Sequence, residues 1–136
     1  MSSISNPITV TSGVPQGSHL GPLLFNIFIS DLSIILNDVK HLFYADDLKI
    51  FHEIRSIDDS KFLQTKLDDL AKWCSENKLS LNVEKCHSIS FTRRRNKINL
   101  VYNLENKNSD AVSKIRDLGI VFDEKLPFKQ HCDMII

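Results

Sequence analysis

Two long stretches of the chain carry apolar residues in patterns typical of helices. From about Pro22 to Leu36, apolar side chains occupy almost every face, which predicts a helix that is buried on more than one side. Pro22 stands where a helix tolerates proline best, at its first position. A second, amphipathic helix is predicted to begin at a cap, Asp58 or Asp59, and to end near Lys78. Its apolar residues recur at helical spacing: Leu63, Leu67, Leu70 and Cys74.

Shorter runs between and after these helices predict strands. His41–Tyr44 and Leu48–Phe51 are β-prone, and the tripeptide Ala45-Asp46-Asp47 between them predicts a hairpin whose turn carries both acids. The order of helix, hairpin, helix and three strands indicates an α+β fold, in which two helices pack on an antiparallel sheet. The three strands after the second helix are predicted at Lys85–Thr92, Ile98–Leu104 and Ile115–Phe122.

Length and composition narrow the class of protein. The 136 residues amount to one domain, and 42% of them are hydrophobic and 25% charged, which is typical of a folded globular chain. Seventeen basic residues balance seventeen acidic ones, so a nucleic acid or a membrane could not be held by a global positive field. The first twelve residues lack the features of a secretory signal peptide, and no apolar stretch is long enough to span a bilayer. We therefore expect a soluble intracellular protein, cytoplasmic or nuclear, with no membrane partner.

The three cysteines, Cys74, Cys86 and Cys132, stand far apart and form no Cys-x-x-Cys pair. This spacing argues against a disulfide framework and against a zinc ribbon. Cysteine is among the residues most often found fully buried, so we expect buried thiols that hold no metal.

Asp46 and Asp47 are the first candidate residues for a catalytic metal site. Two adjacent carboxylates raise the local negative potential, which is costly unless a cation neutralises them, and such hard oxygen ligands suit Mg²⁺ or Mn²⁺. The apolar residues on either side indicate a packed hairpin that would present both acids rigidly, as a catalytic metal site requires. The alternative is that both are ordinary turn residues, because aspartate side chains often bond to the backbone of turns.

Three further segments could bind a ligand, and each has a structural alternative. Gly13–Ser18, with Gln16 and Gly17, combines glycines that permit close approach with an amide that both donates and accepts, or it is a plain loop that starts a helix. Lys85 could reach an anionic substrate, or it is an ordinary surface lysine. The basic cluster Arg93–Lys97 could contact phosphates, or it is a solvated turn between strands.

Taken in order, these segments resemble the palm region of a reverse transcriptase, most closely that of the retrotransposons without long terminal repeats. Four blocks carry the resemblance. Gly13–Leu32, GVPQGSHLGPLLFNIFISDL, is similar to the family's PQG block and its following helix, and Phe43–Asp47, FYADD, is similar to its Y-x-D-D catalytic turn. The third block matches the pattern L-x-x-W-x-x-x-N-x-L-x-x-N-x-x-K with Leu70, Trp73, Asn77, Leu79, Asn82 and Lys85. The fourth matches L-G-x-x-x-D-x-x-L-x-F-x-x-H with Leu118, Gly119, Asp123, Leu126, Phe128 and His131.

The resemblance implies an RNA-directed DNA polymerase, whose partners are an RNA template, a DNA primer and deoxynucleoside triphosphates. It implies that Asp46 and Asp47 hold two Mg²⁺ ions, with Mn²⁺ as an alternative, which activate the primer 3′-hydroxyl and neutralise the triphosphate. Tyr44 would lie near the primer terminus. Lys85 would lie near the leaving pyrophosphate and could protonate it.

Two other pairs of residues receive roles from the same resemblance. Gln16 and Gly17 would lie under the template base and the incoming nucleotide, where glycine permits the approach and glutamine can hydrogen-bond. Leu118 and Gly119 would support the primer strand, as the family's primer grip. Residues 13–92 would then be a palm remnant, and residues 93–131 would carry the primer-grip strands and the start of the thumb.

The resemblance also implies that parts of the family's domain lie outside this sequence. The family supplies a further aspartate from a strand before the PQG block, whereas the first acidic residue here is Asp31, on the predicted helix. We therefore expect the chain by itself to be inactive, and the metal to be a cofactor only of the complete domain. An unpaired, apolar sheet edge is expected to cause self-association. The alternative is a catalytically dead remnant that binds nucleic acid or a partner.

Overall fold

Three α-helices and eight short strands make up the part of the chain that the structure describes. The computed structural model describes residue 13, residues 17–92, residue 98 and residues 101–126. The helices are α1 (Gly21–Ile29), α2 (Leu32–Ile35) and α3 (Ile57–Glu76), and a 3₁₀ helix spans Val83–Lys85. The strands are β1 (Lys40–Tyr44), β2 (Asp47–Phe51), β3 (His87–Ser88), β4 (Asn103–Leu104), β5 (Lys107–Asn108), β6 (Asp110–Ala111), β7 (Lys114–Asp117) and β8 (Ile120–Asp123). Helices combined with small sheets confirm the predicted α+β class. Within these residues, no helix has the length and apolar character needed to cross a bilayer.

The apolar stretch predicted as one helix is divided into α1 and α2. Ser30 ends α1, because its backbone N–H and its hydroxyl both donate to the Ile27 carbonyl oxygen, at 3.2 and 2.7 Å. Serine competes for backbone partners in this way, and such competition ends or bends helices. The predicted burial on several sides is also wrong for α1. Four of its large side chains are between 41% and 61% exposed: Leu23, Leu24, Ile27 and Phe28.

Helix α3 begins with a capping box. Ser56 is the cap, since its hydroxyl accepts the Asp59 N–H at 3.3 Å while the Asp59 carboxylate accepts the Ser56 N–H at 2.7 Å. The predicted cap is therefore wrong, because Asp59 is the third helical residue and reaches back to the cap. Hydrogen bonds from the Arg55 N–H, the Ser56 hydroxyl and the Ser56 N–H lower the pKa of the Asp59 carboxyl. The helix ends at Glu76, close to the predicted Lys78.

The predicted acidic hairpin is present, with a tighter turn than expected. Strands β1 and β2 pair antiparallel, and Tyr44 lies opposite Asp47. Ala45 and Asp46 alone therefore form the turn, and Asp47 is the first residue of β2. A two-residue turn is the commonest connection between antiparallel strands.

The strands do not form the single antiparallel sheet that the sequence pattern predicts. In the described residues they make four separate two-stranded sheets, of which β1–β2, β4–β5 and β7–β8 are antiparallel and β3–β6 is parallel. Strands of two residues supply too few ladder hydrogen bonds to recruit a neighbour, which explains why β3, β4, β5 and β6 do not extend one sheet.

The three strands predicted after α3 are also wrong in extent. Within the described residues, Lys85–Thr92 contains only the two-residue β3, and Ile98–Leu104 contains only the two-residue β4. Ile115–Phe122 is folded back on itself as the hairpin β7–β8. Leu118 and Gly119 form its turn, with φ values of 46° and 86°, the positive φ at both positions that a type I′ hairpin turn takes.

The core lies between the helices and one face of the β1–β2 hairpin. Buried residues from all three helices form its centre: Ile29, Leu32, Leu70, Trp73 and Cys74. The hairpin contributes Phe43, Leu48 and Ile50, which are partly buried against this centre. Because side chains alternate along a strand, the inner face of the hairpin is anchored while its outer face points away from the core. This arrangement fixes the base of the acidic turn.

Candidate active site

The turn of the β1–β2 hairpin presents Asp46 and Asp47 to solvent. Ala45, the first turn residue, has a φ of 51°, in the left-handed region. This conformation costs a residue with a Cβ roughly 1 kcal/mol or more, so the pairing of β1 with β2 and the core contacts of the inner face must hold it in place. Strained backbone of this kind clusters at sites where a ligand is held.

Neither carboxylate is engaged by another part of the described chain. Asp38, Asp58 and Asp117 each pair with a lysine, whereas Asp46 and Asp47 make no side-chain hydrogen bond or ion pair with any described residue. Two adjacent carboxylates repel one another, and a hard divalent cation would relieve that repulsion. Residues 17–92 and 101–126 contain no group of three or more His, Cys, Asp or Glu side chains that could hold a metal ion. The turn therefore offers two carboxylates, and the described residues add no third ligand beside them.

Tyr44 lies on the outer face of the hairpin, directly across from Asp47. Its side chain is 58% exposed, and its outer-face neighbours Leu42 and Phe51 are 53% and 49% exposed. The prediction that the apolar residues on both sides of the acids pack is therefore only half correct, since this face is open. The arrangement leaves an exposed phenol ring beside the acidic turn.

The glycine segment before α1 is described only in part. Gly13 and Gly17 have φ values of 76° and 82°, which glycine adopts at no steric cost. A Cβ at either position would meet no atom within 4 Å, so the torsion and not the available space demands glycine. The Ser18 carbonyl accepts the Gly21 N–H at 3.2 Å and so leads the chain into α1. The described residues of this segment thus act as the loop that starts the helix, and their binding role stays a prediction.

Lys85 is the last residue of the 3₁₀ helix and is exposed. Its N–H donates to the Asn82 carbonyl at 3.0 Å, and its ammonium makes no hydrogen bond or ion pair with the described residues. An open hollow of about 460 Å³ lies beside this segment, lined by residues 80–84 together with Glu105 and Lys107. Two glutamates in that lining make the hollow unsuited to an anion. The structure gives Lys85 no bond to the acidic turn.

The turn of the β7–β8 hairpin is joined to the acidic hairpin by an ion pair that the sequence pattern does not reveal. Lys49 Nζ lies 2.6 and 2.7 Å from the two carboxylate oxygens of Asp117. Lys49 follows Asp47 by two residues on the same face of β2, and Asp117 immediately precedes the exposed Leu118–Gly119 turn. A lysine between Leu48 and Ile50 is the only signal in the sequence, and its partner stands 68 residues away.

Several predicted residues lie outside the described residues: Gln16, Arg93–Lys97, Phe128, His131 and Cys132. Of the other cysteines, Cys74 is fully buried, which confirms the predicted buried thiol, and Cys86 is half-buried. Burial raises the pKa of Cys74 to about 11 and raises the pKa of Cys86 as well. Both side chains are therefore poor nucleophiles at neutral pH, because the thiolate is the reactive form.

Residues 2–122 match the family model described as reverse transcriptase (RNA-dependent DNA polymerase). The chain is 33% identical, over 138 residues, to the probable RNA-directed DNA polymerase from transposon BS of Drosophila melanogaster, an alignment that covers 95% of this chain and 15% of the relative. It is 32% identical, over 130 residues, to the RNA-directed DNA polymerase from mobile element jockey of the same species, which covers 90% of this chain and 14% of the relative.

A retrotransposable element of another insect gives a similar result. The retrovirus-related Pol polyprotein from type-1 retrotransposable element R2 of Popillia japonica is 35% identical over 98 residues, which covers 63% of this chain and 15% of the relative. The chain thus spans about 15% of the length of the curated relatives it matches. No solved structure shows significant similarity to it.

Proposed function

Because this chain belongs to the reverse transcriptase (RNA-dependent DNA polymerase) family, we propose that it forms part of the palm of an RNA-directed DNA polymerase. The relatives confirm the resemblance to retrotransposon reverse transcriptases. The observation that carries the proposal is the β1–β2 turn. Asp46 and Asp47 stand there exposed, without a partner among the described residues, on a hairpin that is anchored to the core by one face.

The donor set of this turn fits a divalent metal such as Mg²⁺, with Mn²⁺ as an alternative. Carboxylate oxygens are the ligands that these hard cations prefer, and the described structure holds no lysine or arginine against either acid. When bound, the metal would supply Lewis-acid activation of a primer hydroxyl and neutralisation of a triphosphate. The contribution of the chain is to hold the two carboxylates rigidly at the tip of an anchored hairpin.

The remaining roles follow from the resemblance to the family. Tyr44, exposed opposite Asp47, supports the primer terminus, and the exposed Leu118–Gly119 turn supports the primer strand. By the same resemblance, Gln16 and Gly17 serve the template base and the incoming nucleotide, and Lys85 serves the leaving pyrophosphate. Residues 13–92 then form the palm remnant, and residues 93–131 form the primer grip and the start of the thumb. The partners are an RNA template, a DNA primer and deoxynucleoside triphosphates.

The metal assignment is tested by the binding of Mn²⁺ to the 136-residue chain, measured from the loss of the free-ion electron paramagnetic resonance signal. We expect weak binding, because the turn supplies only two carboxylates, and we expect Asp46→Asn and Asp47→Asn each to abolish it. Asp58→Asn is the matched control, since Asp58 is also an exposed aspartate but has Lys61 as a partner at 3.3 Å. Equal losses in the control and in the two site variants would contradict the assignment.

The 136-residue polypeptide by itself is expected to extend no primer in Mg²⁺ or Mn²⁺. Two-metal nucleotidyl transfer requires further ligands that bridge the ions, and the described residues hold no cluster of three or more metal-ligating side chains. The measurement is extension of a labelled DNA primer on an RNA template by pure protein. Extension that disappears with Asp46→Asn would show that the polypeptide carries a complete site.

A second candidate function is nucleic-acid binding without catalysis, and it is favoured because the described residues add no third metal-ligating side chain to Asp46 and Asp47. Template–primer binding that survives Asp46→Ala and Asp47→Ala but falls steeply with salt would support it, because contacts to phosphates release counterions. Binding that requires both acids and a divalent metal would instead favour the polymerase site. Fluorescence anisotropy with a labelled RNA–DNA hybrid distinguishes the two.

A further inference from the structure

The ion pair between Lys49 and Asp117 is a largely enclosed charge pair that joins distant parts of the described chain. The ammonium lies 2.6 and 2.7 Å from the two carboxylate oxygens, so it contacts both. The two side chains are only 23% and 29% exposed. By contrast, Lys107 and Glu84 are 3.9 Å apart and are 65% and 85% exposed. Enclosure reduces screening by water and salt, so the Lys49–Asp117 pair is the stronger restraint.

The position of the pair in the fold gives this restraint a specific effect. Strands β1 and β2 form one two-stranded sheet and β7 and β8 form another, and no backbone ladder joins them in the described residues. Lys49 projects from the outer face of β2, opposite Leu42 and two residues after Asp47. Asp117 is the last residue of β7 and pairs with Ile120 across the Leu118–Gly119 turn. A side-chain bond therefore links the outer face of one hairpin to the turn of the other.

We propose that Lys49 and Asp117 are positioning residues, whose ion pair holds the Leu118–Gly119 turn beside the outer face of the acidic hairpin. The turn and the Asp46–Asp47 carboxylates then belong to one surface, which a single nucleic-acid strand can contact. Contact of this surface with a nucleic-acid strand rests on the proposed polymerase function. The position of the turn relative to the hairpin does not depend on that function.

The physical alternative is that the pair contributes stability but does not set position. A lysine whose partner is removed keeps its flexible stem and can turn its ammonium towards water, so loss of the pair would then leave both hairpins in place. If the pair sets position, a like-charge substitution must displace the turn from the hairpin. Reversing both charges must bring the turn back, because the attraction is the same in either direction.

The experiment measures the separation of the two hairpins without metal or nucleic acid. A bimane fluorophore is attached through Leu42→Cys, in a Cys86→Ser, Cys132→Ser background that leaves only the buried Cys74. Leu118→Trp places a short-range quencher on the other hairpin; residues 42 and 118 are both exposed, at 53% and 61%. An excess of unlabelled protein without the Leu118→Trp substitution prevents quenching between molecules from contributing to the signal. The parent protein is expected to show strong quenching.

Lys49→Glu and Lys49→Met are expected to relieve the quenching several-fold. Lys49→Arg keeps the cation and is expected to retain quenching, and the reversed pair Lys49→Asp with Asp117→Lys is expected to restore it. Lys107→Glu, which places a like charge opposite Glu84, is the matched control and should change nothing. Circular dichroism selects the variants that fold. If the Lys49→Glu variant does not fold, the Lys49→Met variant is used for the test, because methionine keeps the apolar stem of the lysine.

The outcomes separate this inference from the proposed function. Unchanged quenching in Lys49→Met, or no restoration in the reversed pair, overturns the positioning role, whatever the chain binds. Weak quenching in the parent also overturns it, because the turn would then lie away from the hairpin. Failure of Mn²⁺ to bind at Asp46 and Asp47 would remove the polymerase reading and leave the quenching result intact. Loss of quenching with rescue by the reversed pair establishes the ion pair as the link between the two hairpins.

Discussion

The conformation of one residue, Ala45, decides where the two acidic side chains stand. With a φ of 51°, it lets the chain reverse within two residues, so that Asp47 enters β2 opposite Tyr44. A turn one residue longer would shift the pairing of the strands by one position, and such a slip moves every side chain to the other face. Leu48 would then lie opposite Tyr44 on the outer face, and Lys49 would point towards the core. The torsion of Ala45 and the face on which each residue of β2 lies are therefore two aspects of one geometry.

At the same scale, the buried thiol of Cys74 makes the stability of the chain dependent on pH. Burial raises the pKa of this thiol from its ordinary value of 9.0 to about 11. Between these values the unfolded chain has lost the proton that the folded chain still holds, so stability is fully present below about pH 9 and falls as the pH rises towards 11. A shift of this size corresponds to a loss on the order of 2 kcal/mol in the free energy of unfolding. Urea unfolding across this pH interval measures it.

Cys74→Ala is the control for this prediction. It is expected to be less stable at neutral pH, because a buried side chain is shortened, but to lose less stability as the pH rises. Every other residue is the same in both proteins, so the difference between the two pH profiles isolates Cys74. Parallel profiles would show that this thiol is not the group responsible.

At the scale of elements, the residue that follows the C-cap of α3 has an unfavourable backbone conformation. Lys78 has a φ of 57° and follows the cap Asn77 in a Schellman motif. In this motif the Lys78 N–H donates to Ser75 O at 3.2 Å, and the Leu79 N–H donates to Cys74 O at 2.9 Å. Glycine is the residue that fits this left-handed position. Lys78→Gly is therefore expected to raise the free energy of unfolding by about 0.5–1 kcal/mol in chemical denaturation.

Lys72, an exposed lysine within α3, provides the comparison. Lys72→Gly lies inside the helix, where glycine lowers stability by about 1 kcal/mol relative to a good helix former. The two substitutions are chemically identical and should have opposite signs, because only Lys78 has a positive φ. A loss of stability in both would mean that the left-handed cap contributes no strain.

Some helices and strands could be predicted from local sequence patterns, whereas some breaks and turns could not. Helix α3 and the β1–β2 hairpin were predictable, because alternation and helical spacing report local burial and each element carries such a pattern. The break at Ser30 and the turn at Leu118 were not predicted, since each lies inside a segment whose apolar residues favour one continuous element. Leucine rarely adopts the positive φ that it has at this turn. Local preference gave no warning where the surrounding structure imposed the conformation.

At the scale of the whole molecule, contacts between distant segments were the part that could not be predicted. The acidic turn is visible in the sequence because its two acids are adjacent. By contrast, the Lys49–Asp117 bond joins residues 68 positions apart. The bonds of the Gln64 side chain to the backbone N–H and carbonyl of Asn103, at 2.9 and 2.8 Å, join α3 to β4 across 39 positions. No periodicity records such pairs, so the sequence indicates the candidate site and the structure supplies what positions it.

The exposed outer face of the β1–β2 hairpin leads to a prediction about association of the whole chain. This face exposes Leu42, Tyr44 and Phe51, and the two-stranded sheet has no third strand bonded to it among the described residues. An exposed apolar patch and an unpaired strand edge both favour contact with another chain. Sedimentation equilibrium is expected to show an average mass that rises with protein concentration. Tyr44→Lys, which places a charge on this face opposite Asp47, is expected to weaken the association. Leu24→Lys, on the exposed side of α1, should leave it unchanged. A monodisperse monomer at all concentrations, or dissociation by Leu24→Lys alone, would exclude the hairpin as the contact surface.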